Sequence, residues 1–281
     1  MATMTDAGLK TRDIKPNIAS EVLNTKEELL TGRYSAEIRD LLERRGVIVF
    51  PGIAFTDEEQ VAFTRTLGST ARERTGEEVF TVSLDPEKST GVEYLKGAFY
   101  WHFDGVIQAK PILASLLSAK VLPPSGGDTE FCNTYAAYDA LSDEDKQRFA
   151  SLRVIHSNWA PLLYHTPEPT QEQLELFAGF GEIELPLVWT HQSGRKSLVL
   201  GCTATQVVGM SRMDSTLLLN RLREWATSEP FHYSHQWSPG DMVMWDNRAV
   251  LHRGRHFDLS ERREMRRATT EDVDLPVANA A

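Results

Sequence analysis

Two side chains that can bind a metal stand two positions apart in the segment Y-W-H-F-D-G, residues 100–105. Because side chains alternate between the two faces of a β-strand, His102 and Asp104 would point the same way on a strand. An imidazole and a carboxylate are two of the ligands that transition metals take in proteins. A histidine hydrogen-bonded to its neighbour on a half-buried strand is the plainer interpretation, and the pair alone leaves both open.

A third candidate ligand, His252, lies in the segment W-D-N-R-A-V-L-H-R-G-R, residues 245–255. It follows an apolar, strand-like segment and precedes a predicted turn. Two histidines and one carboxylate on one face of a metal form the facial triad of non-heme Fe(II) oxygenases, which leaves adjacent positions open. Open adjacent positions are what a chelating 2-oxo acid and dioxygen need.

Six arginines stand between residues 253 and 267. Strand alternation places the last four, in the segment R-R-E-M-R-R at 262–267, on two opposite faces. One face carries Arg263, Met265 and Arg267, and we expect it to point inward. A buried guanidinium needs an anion, and its planar fork suits a carboxylate, so this face predicts a carboxylate clamp. The opposite face of 262–266 is charged at every position and is expected to form ion pairs in solvent.

Composition narrows the class of protein. The chain has 281 residues, 41% hydrophobic and 25% charged, which is typical of a globular protein with a substantial core. Its net charge of -10 argues against a nucleic-acid partner, because phosphate backbones favour clustered Lys and Arg. Cys132 and Cys202 are far apart and indicate buried thiols rather than a disulfide framework. With no long apolar run and no signal-peptide pattern at the N-terminus, we expect a cytoplasmic protein without a membrane partner.

The elements that must position these residues are mostly short strands. Periodicity predicts a helix over 35–45, a buried strand over 47–50 and a helix opened by the capping box T-D-E-E at 56–59. From residue 112 onward, short strands alternate with turns, interrupted by helices near 134–150 and 214–225. This pattern predicts a mainly β fold with added helices, a β-sandwich or jelly roll. We expect 1–16 to be a flexible segment and 17–281 to be a single domain.

The order and separation of His102, Asp104, Thr129, His252 and Arg263 resemble those of the taurine dioxygenase and 2,4-dichlorophenoxyacetate dioxygenase family of Fe(II)/2-oxoglutarate-dependent dioxygenases. The resemblance runs from about residue 17 to 270. It is carried by further segments as well, P-P-S-G-G-D-T ending at Thr129, A-A-Y-D-A-L, T-H-Q-S-G-R-K-S-L, P-G-D-M-V-M-W-D-N-R and R-R-A-T.

What the resemblance implies is a double-stranded β-helix, or jelly roll, with Fe(II) bound by the two histidines and Asp104. It also implies that 2-oxoglutarate and dioxygen are cosubstrates. Arg263 would pair with the distal carboxylate of 2-oxoglutarate, and the Thr129 hydroxyl would donate a second hydrogen bond to it. Arg267 would lie near the metal-bound end of 2-oxoglutarate and the anionic group of the substrate.

Two departures from the family concern the substrate. Ala98 stands where taurine dioxygenase has an asparagine, and no histidine precedes His102. Taurine itself is therefore not the expected substrate. Tyr100, Phe103 and Trp159 are candidates for lining a pocket for a small organic anion that is bulkier than taurine. The enzyme would hydroxylate this substrate. Where the attacked carbon bears oxygen, sulfur or nitrogen, the C-O, C-S or C-N bond would then be cleaved.

Two other classes of protein stay open at this point. A metal-dependent hydrolase or isomerase could use two histidines and a carboxylate around Zn(II), and a jelly roll could be a non-catalytic binding module. Neither alternative requires a carboxylate clamp at Thr129 and Arg263, which favours the dioxygenase. We also expect a homo-oligomer.

Overall fold

The computed structural model describes residues 8–71, 76–85, 87–88, 92–105 and 112–271. Within these ranges the strands are β1 (Thr11–Asp13), β2 (Ser20–Val22), β3 (Val47–Phe50), β4 (Phe80–Val82), β5 (Ile112–Val121), β6 (Thr129–Asn133), β7 (Arg153–Ser157), β8 (Glu182–Pro186), β9 (Val188–Thr190), β10 (Lys196–Leu198), β11 (Ala204–Val207), β12 (His232–His235), β13 (Met242–Asp246), β14 (Val250–Gly254) and β15 (Glu264–Glu271). The α-helices of the same ranges are α1 (Lys26–Leu30), α2 (Ser35–Arg45), α3 (Asp57–Leu67), α4 (Val92–Leu95), α5 (Thr134–Asp139), α6 (Asp143–Phe149), α7 (Leu162–His165), α8 (Gln171–Ala178) and α9 (Arg212–Ala226), with short 3-10 helices at Lys96–Phe99 and Glu229–Phe231.

Two sheets face each other across the core. The major sheet has the strand order β1-β2-β3-β13-β5-β15-β4, and the minor sheet has the order β12-β6-β14. Alternation along β3 shows how the layers are built, because Val47 and Val49 point into the space between the sheets while Ile48 and Phe50 point outward. Phe131 of the minor sheet joins Val47 and Val49 in this inter-sheet core.

Helices α2 and α3 cover the outer face of the major sheet. The apolar positions predicted for α2 are buried against that face, and Gly46, with φ of 72°, ends the helix as expected. Helix α3 begins at the predicted capping box, in which the Thr56 and Glu59 side chains each accept a hydrogen bond from the other residue's backbone N–H. Both predictions are confirmed.

The outer face of the minor sheet is covered by α5 and α9, together with the sheets β11-β7-β8 and β9-β10. The turn H-Q-S-G-R joins β9 to β10 as an antiparallel pair, as the sequence indicates. The helix expected over 134–150 is divided into α5 and α6, because Ser142 accepts a hydrogen bond from the Asp145 backbone and caps a new helix. Helices α7 and α8 were not anticipated.

The N-terminal segment expected to be flexible is described only from residue 8. Thr11–Asp13 forms β1 and pairs antiparallel with β2, so these three residues are held at the edge of the major sheet. Residues 1–7 and 272–281 lie outside the described residues. No helix of the described chain has the length and apolar character needed to cross a membrane.

Candidate metal centre and cosubstrate site

Three of the candidate ligands converge between the two sheets. Asp104 Oδ1 lies 3.8 Å from His102 Nε2 and 3.7 Å from His252 Nε2. One ion can bridge these separations, since first-row metals bind histidine nitrogen and carboxylate oxygen at about 2.0–2.2 Å and two such bonds span up to about 4.4 Å. Among the described residues, these three form the one cluster of His, Cys, Asp or Glu with the spacing of a metal site.

The backbone around the His-x-Asp pair differs from the regular strand that alternation assumed. His102 forms an isolated bridge with His252 of β14, in which each backbone N–H donates to the other's carbonyl at 3.0 Å, and Asp104 lies in a turn. The reciprocal bridge holds the two imidazole rings with their centroids 4.1 Å apart. We expected the pleating of a regular strand to bring His102 and Asp104 together. A bridge and a turn do so instead.

Hydrogen bonding selects the metal-facing nitrogen of His102. Its Nδ1 lies 2.8 Å from the carbonyl oxygen of Tyr100, an acceptor, so Nδ1 carries the proton and Nε2 presents its lone pair toward Asp104. Burial is the main cause that lowers the pKa of His102 to about 4, and the neighbouring His252 lowers it further. The imidazole is therefore neutral at physiological pH, which is the form that binds a metal.

Asp104 stays ionised despite its burial. Burial raises the pKa of the carboxyl, but the positive charge of Arg267 and the contact with His252 outweigh it and hold the pKa well below its usual range. Ser115 of β5 lies beneath the same carboxylate, with Oγ 2.7 Å from Oδ2. The cluster thus offers two imidazole nitrogens and one anionic oxygen, the donor set of the facial triad.

Arg263 directly precedes β15, and its side chain extends to the segment that leads into β6. Its Nε donates to the Gly127 carbonyl at 3.3 Å, and its guanidinium lies over the Phe257 ring, 5.8 Å from the centroid. Within the described part of the chain, no carboxylate lies within 4 Å of this guanidinium. Burial lowers the pKa of Arg263 to about 10, while the charge of Asp128 opposes that shift.

The Gly-Gly pair of P-P-S-G-G-D-T allows this close approach. Gly126 and Gly127 have φ of 72° and 75°, a left-handed backbone that favours glycine. A Cβ at Gly127 would lie 3.2 Å from Cδ and Nε of Arg263, so a larger residue would displace the guanidinium. Two residues later, Thr129 is buried at the start of β6, and its Oγ1 accepts a hydrogen bond from Trp237 Nε1 at 3.0 Å.

Arg267 lies further along the same inward face of β15. Its Nη1 donates to Asp104 Oδ1 at 3.3 Å, and its guanidinium lies 5.5 Å from the Phe80 ring centroid. This position is at the end of the site where the three candidate ligands converge. The predicted division of β15 is also confirmed on the other face, where Arg266 pairs with Glu264 at 2.7 Å, although α3 partly covers that pair.

The aromatic candidates for the substrate pocket are placed differently from one another. We expected Phe103 to line the pocket, but this was wrong. Its side chain is buried in the hydrophobic core behind the minor sheet. The Tyr100 hydroxyl donates to the Tyr164 carbonyl at 2.9 Å, and Trp159 Nε1 donates to Glu182 at 2.9 Å. Both lie partly exposed, on the segments 96–100 and 159–165 that pack together through Gly97 and Pro161.

Three residues near the site were not predicted from sequence. Ser115 and Trp237 gave no local signal, because each becomes relevant only through a partner that is distant in sequence. Asn247 likewise shows its role only in the structure, where its side chain contacts Ser115. Two other histidines, His156 and His191, are buried and hydrogen-bonded to Thr203 and Ser197, away from the three candidate ligands.

Comparisons with known proteins agree with this geometry. The family model described as "Taurine catabolism dioxygenase TauD, TfdA family" matches residues 10–269. The alpha-ketoglutarate-dependent 2,4-dichlorophenoxyacetate dioxygenase of Cupriavidus pinatubonensis is 40% identical over 265 residues, which is 87% of this chain and 91% of that protein. An alkylsulfatase of Acinetobacter baylyi is 32% identical over 85% of this chain and 83% of that protein.

A solved structure has the same fold. The crystal structure of AAD-2 in complex with Mn(II) and N-oxalylglycine superposes with a TM-score of 0.82 at 34% identity, covering 96% of this chain and 100% of that one. Such neighbours are jelly rolls, which confirms the fold class that the sequence indicated. The match over most of the chain also confirms the enzyme class. The chain belongs to the TauD and TfdA family of 2-oxoglutarate-dependent dioxygenases.

Proposed function

We propose that the protein is an Fe(II)- and 2-oxoglutarate-dependent dioxygenase that oxidises a small anionic organic substrate. His102, Asp104 and His252 would hold the iron, Arg263 and Thr129 would hold the distal carboxylate of 2-oxoglutarate, and Arg267 would serve the metal end of the site. The single observation that carries the proposal is the combination of the three converging ligands with a partly buried arginine that has no carboxylate within 4 Å among the described residues.

The donor set fits iron. Two imidazoles and one ionised carboxylate match the facial triad of non-heme Fe(II) enzymes. A catalytic zinc site can use the same three ligand types, and the 2-oxoglutarate dependence of the family favours iron here. Iron bound there would supply the activation of dioxygen by oxidative decarboxylation of 2-oxoglutarate to succinate and carbon dioxide. The contribution of the protein is to hold the three donors at fixed positions and to leave the remaining positions open.

Arg263 supplies the charge that recognises 2-oxoglutarate. Its guanidinium is held in place by the Gly127 carbonyl and the Phe257 ring, and among the described residues no other acceptor bonds to its remaining N–H groups. A cation that is partly desolvated gains more from a carboxylate than a solvated one does, because water competes less. We infer that the distal carboxylate of 2-oxoglutarate takes this place.

Thr129 would add a second donor whose direction is set by Trp237. An indole N–H can only donate, so Trp237 occupies an acceptor position of the Thr129 oxygen. The single hydroxyl hydrogen of Thr129 is then free to donate elsewhere, and a carboxylate can only accept. This arrangement supports the role inferred for Thr129.

A Trp237→Phe variant tests this role. The ring is kept while the N–H is lost, so the Thr129 hydroxyl is no longer oriented, and the dissociation constant for 2-oxoglutarate should rise by about 2- to 10-fold. The measurement is calorimetric titration of the Mn(II)-loaded protein with 2-oxoglutarate. Trp225→Phe is the matched control, because its indole N–H donates to the Ala137 carbonyl, away from the site. Equal affinities in Trp237→Phe and the wild type would contradict the role.

The substrate class is inferred from charge and from the relatives. Arg267 brings a second inward cation to the metal end, where it contacts Asp104. Relatives of this chain are named for 2,4-dichlorophenoxyacetate, phenoxypropionate and sulfate esters, all of which are anions with an apolar body. We infer that this protein also takes an aryl or alkyl body that bears a carboxylate, sulfonate or sulfate.

Succinate release from a substrate panel tests the proposed function. Aryloxyacetates, alkyl sulfates and alkyl sulfonates should stimulate release in the presence of Fe(II), 2-oxoglutarate and dioxygen. The neutral methyl esters of the same aryloxyacetates should be turned over about 10- to 100-fold less efficiently, since they lose a charge-assisted hydrogen bond. Equal turnover of esters and acids would exclude the anion-binding role. Absence of succinate release with every compound, in a protein that binds Mn(II) and 2-oxoglutarate, would exclude this substrate class.

Three further expectations stay predictions. They are the absence of a nucleic-acid partner, a homo-oligomeric state and a cytoplasmic location. Sedimentation of the purified protein measures the second of them directly.

A further inference from the structure

A continuous chain of hydrogen bonds runs from the inter-sheet core to the candidate metal ligand Asp104. Trp245 Nε1 lies 2.8 Å from Asn247 Oδ1, Asn247 Nδ2 lies 2.8 Å from Ser115 Oγ, and Ser115 Oγ lies 2.7 Å from Asp104 Oδ2. Trp245, Asn247 and Ser115 are 2%, 4% and 0% exposed, so water has little access to any of these contacts. This chain of hydrogen bonds is therefore a fixed part of the core.

Both ends of the chain have a fixed polarity. The Trp245 indole can only donate a hydrogen bond, and the ionised Asp104 carboxylate can only accept one. The Asn247 carbonyl must therefore face Trp245, and its amide NH2 group must face Ser115. Ser115 accepts from that NH2 group, and its only hydrogen is directed to Asp104. Each group between the two ends has one arrangement that satisfies its neighbours.

The backbone fixes the position of this series of hydrogen-bonded side chains. Ser115 of β5 and Trp245 of β13 are directly paired in the major sheet, with both side chains on the inward face. The Asn247 backbone N–H donates to the Leu113 carbonyl at 2.9 Å, which ties the residue after β13 to the same strand. The three side chains are thus presented to Asp104 by two hydrogen-bonded strands.

The two carboxylate oxygens of Asp104 consequently have different surroundings. Oδ2 is held by Ser115, whereas Oδ1 is the oxygen near both histidines and Arg267. We propose that Ser115 and Asn247 are positioning residues that hold Asp104 as a ligand through Oδ1 alone. This inference rests on the proposed function, in which Asp104 binds the metal.

Binding through one oxygen matters for the number of open positions. A facial triad leaves three positions of an octahedral metal open, two for the 2-oxo acid and one for a further ligand. A carboxylate that turned to bind through both oxygens would take one of these positions. The Ser115 hydroxyl prevents that turn by keeping Oδ2 in a hydrogen bond on the side away from the histidines.

The first experiment removes the last donor of the chain. A Ser115→Ala variant should bind Mn(II) about 10- to 100-fold more weakly, the usual cost of removing a hydrogen bond that orients a metal ligand. Affinity is measured in the presence of 2-oxoglutarate from the electron paramagnetic resonance signal of free Mn(II). Ser118→Ala is the matched control, since Ser118 is buried on the same strand but faces α3 and bonds to Gln60 at 2.8 Å. This control should lose thermal stability and keep wild-type Mn(II) affinity.

The second experiment tests the polarity of the chain. In Asn247→Asp, a carboxylate can accept from Trp245 but has no hydrogen to offer Ser115, so the Ser115 hydroxyl turns toward it and away from Asp104. Mn(II) affinity should fall as in Ser115→Ala, although Ser115 is still present. The double variant should bind Mn(II) no more weakly than either single variant, because both break the same contact.

Each outcome decides one question. Wild-type Mn(II) affinity in folded Ser115→Ala, or equal losses in Ser115→Ala and Ser118→Ala, would overturn the positioning role and leave the metal site standing. If Ser115→Ala does not fold, Asn247→Asp gives the decision by the same measurement. A wild-type protein that binds no Mn(II) would overturn the proposed metal site and this inference with it.

Discussion

Replacing His252 with alanine is expected to reduce turnover on the order of 10³-fold, which corresponds to about 4 kcal/mol of transition-state stabilisation. The variant removes one of the three ligands and also leaves His102 without its ring partner at 4.1 Å. Two remaining ligands cannot hold the ion in one geometry. Succinate release measures turnover, and Mn(II) titration of the same preparation measures metal affinity, which should fall together with it.

A buried histidine outside the cluster is the control for this variant. His191 is buried and hydrogen-bonded to Ser197, so His191→Ala should cost stability comparable to that of His252→Ala. Its Mn(II) affinity at a temperature where the protein is folded should stay that of the wild type. Retention of turnover in His252→Ala would show that the ligand set is assigned incorrectly.

Replacing Arg263 with alanine should raise the dissociation constant for 2-oxoglutarate by about 30-fold to several-thousand-fold. This range follows from the roughly 2 to 5 kcal/mol that truncating one partner of a desolvated charge pair costs. Mn(II) affinity without 2-oxoglutarate should be unchanged, because Arg263 contacts the Gly127 carbonyl and the Phe257 ring rather than the three ligands. Calorimetric titration of the Mn(II)-loaded protein gives the first constant.

Two neighbouring variants separate charge from geometry in this clamp. Arg262→Ala removes an exposed arginine beside Arg263 and should leave 2-oxoglutarate affinity unchanged. Arg263→Lys keeps the charge but loses the planar fork, so its affinity should lie between those of the wild type and Arg263→Ala. Unaltered 2-oxoglutarate affinity in Arg263→Ala would remove the residue from the cosubstrate site.

The candidate site could be predicted from sequence largely because its residues combine chemistry with periodicity. Strand alternation was sufficient to place Arg263 and Arg267 inward, since Met265 of β15, between them, is buried and fixes the face. The same rule was insufficient for His102 and Asp104, whose positions depend on a bridge to β14 and a turn. A tertiary contact between segments far apart in sequence has no local pattern.

The residues that support the site could not be predicted for a related reason. A serine inside the apolar segment of β5 is compatible with many roles. Only the pairing of Ser115 with Trp245 shows which side chains lie next to it. Phe103 shows the converse error. Its position between two candidate ligands indicated a place in the pocket, but its side chain packs into the core behind the minor sheet.

The strand order of the major sheet affects how the chain is made. Strand β5 lies between β13 and β15, so both of its hydrogen-bonding edges wait for segments near the end of the chain. At roughly 5 to 20 residues per second, about 8 to 30 s separate the synthesis of Val121 from that of Glu271. Strand β13 is complete after about 6 to 25 s of that time, and until then an apolar strand of ten residues has neither native neighbour. Unpaired apolar edges invite pairing with other chains, so we expect nascent β5 to need protection by a chaperone.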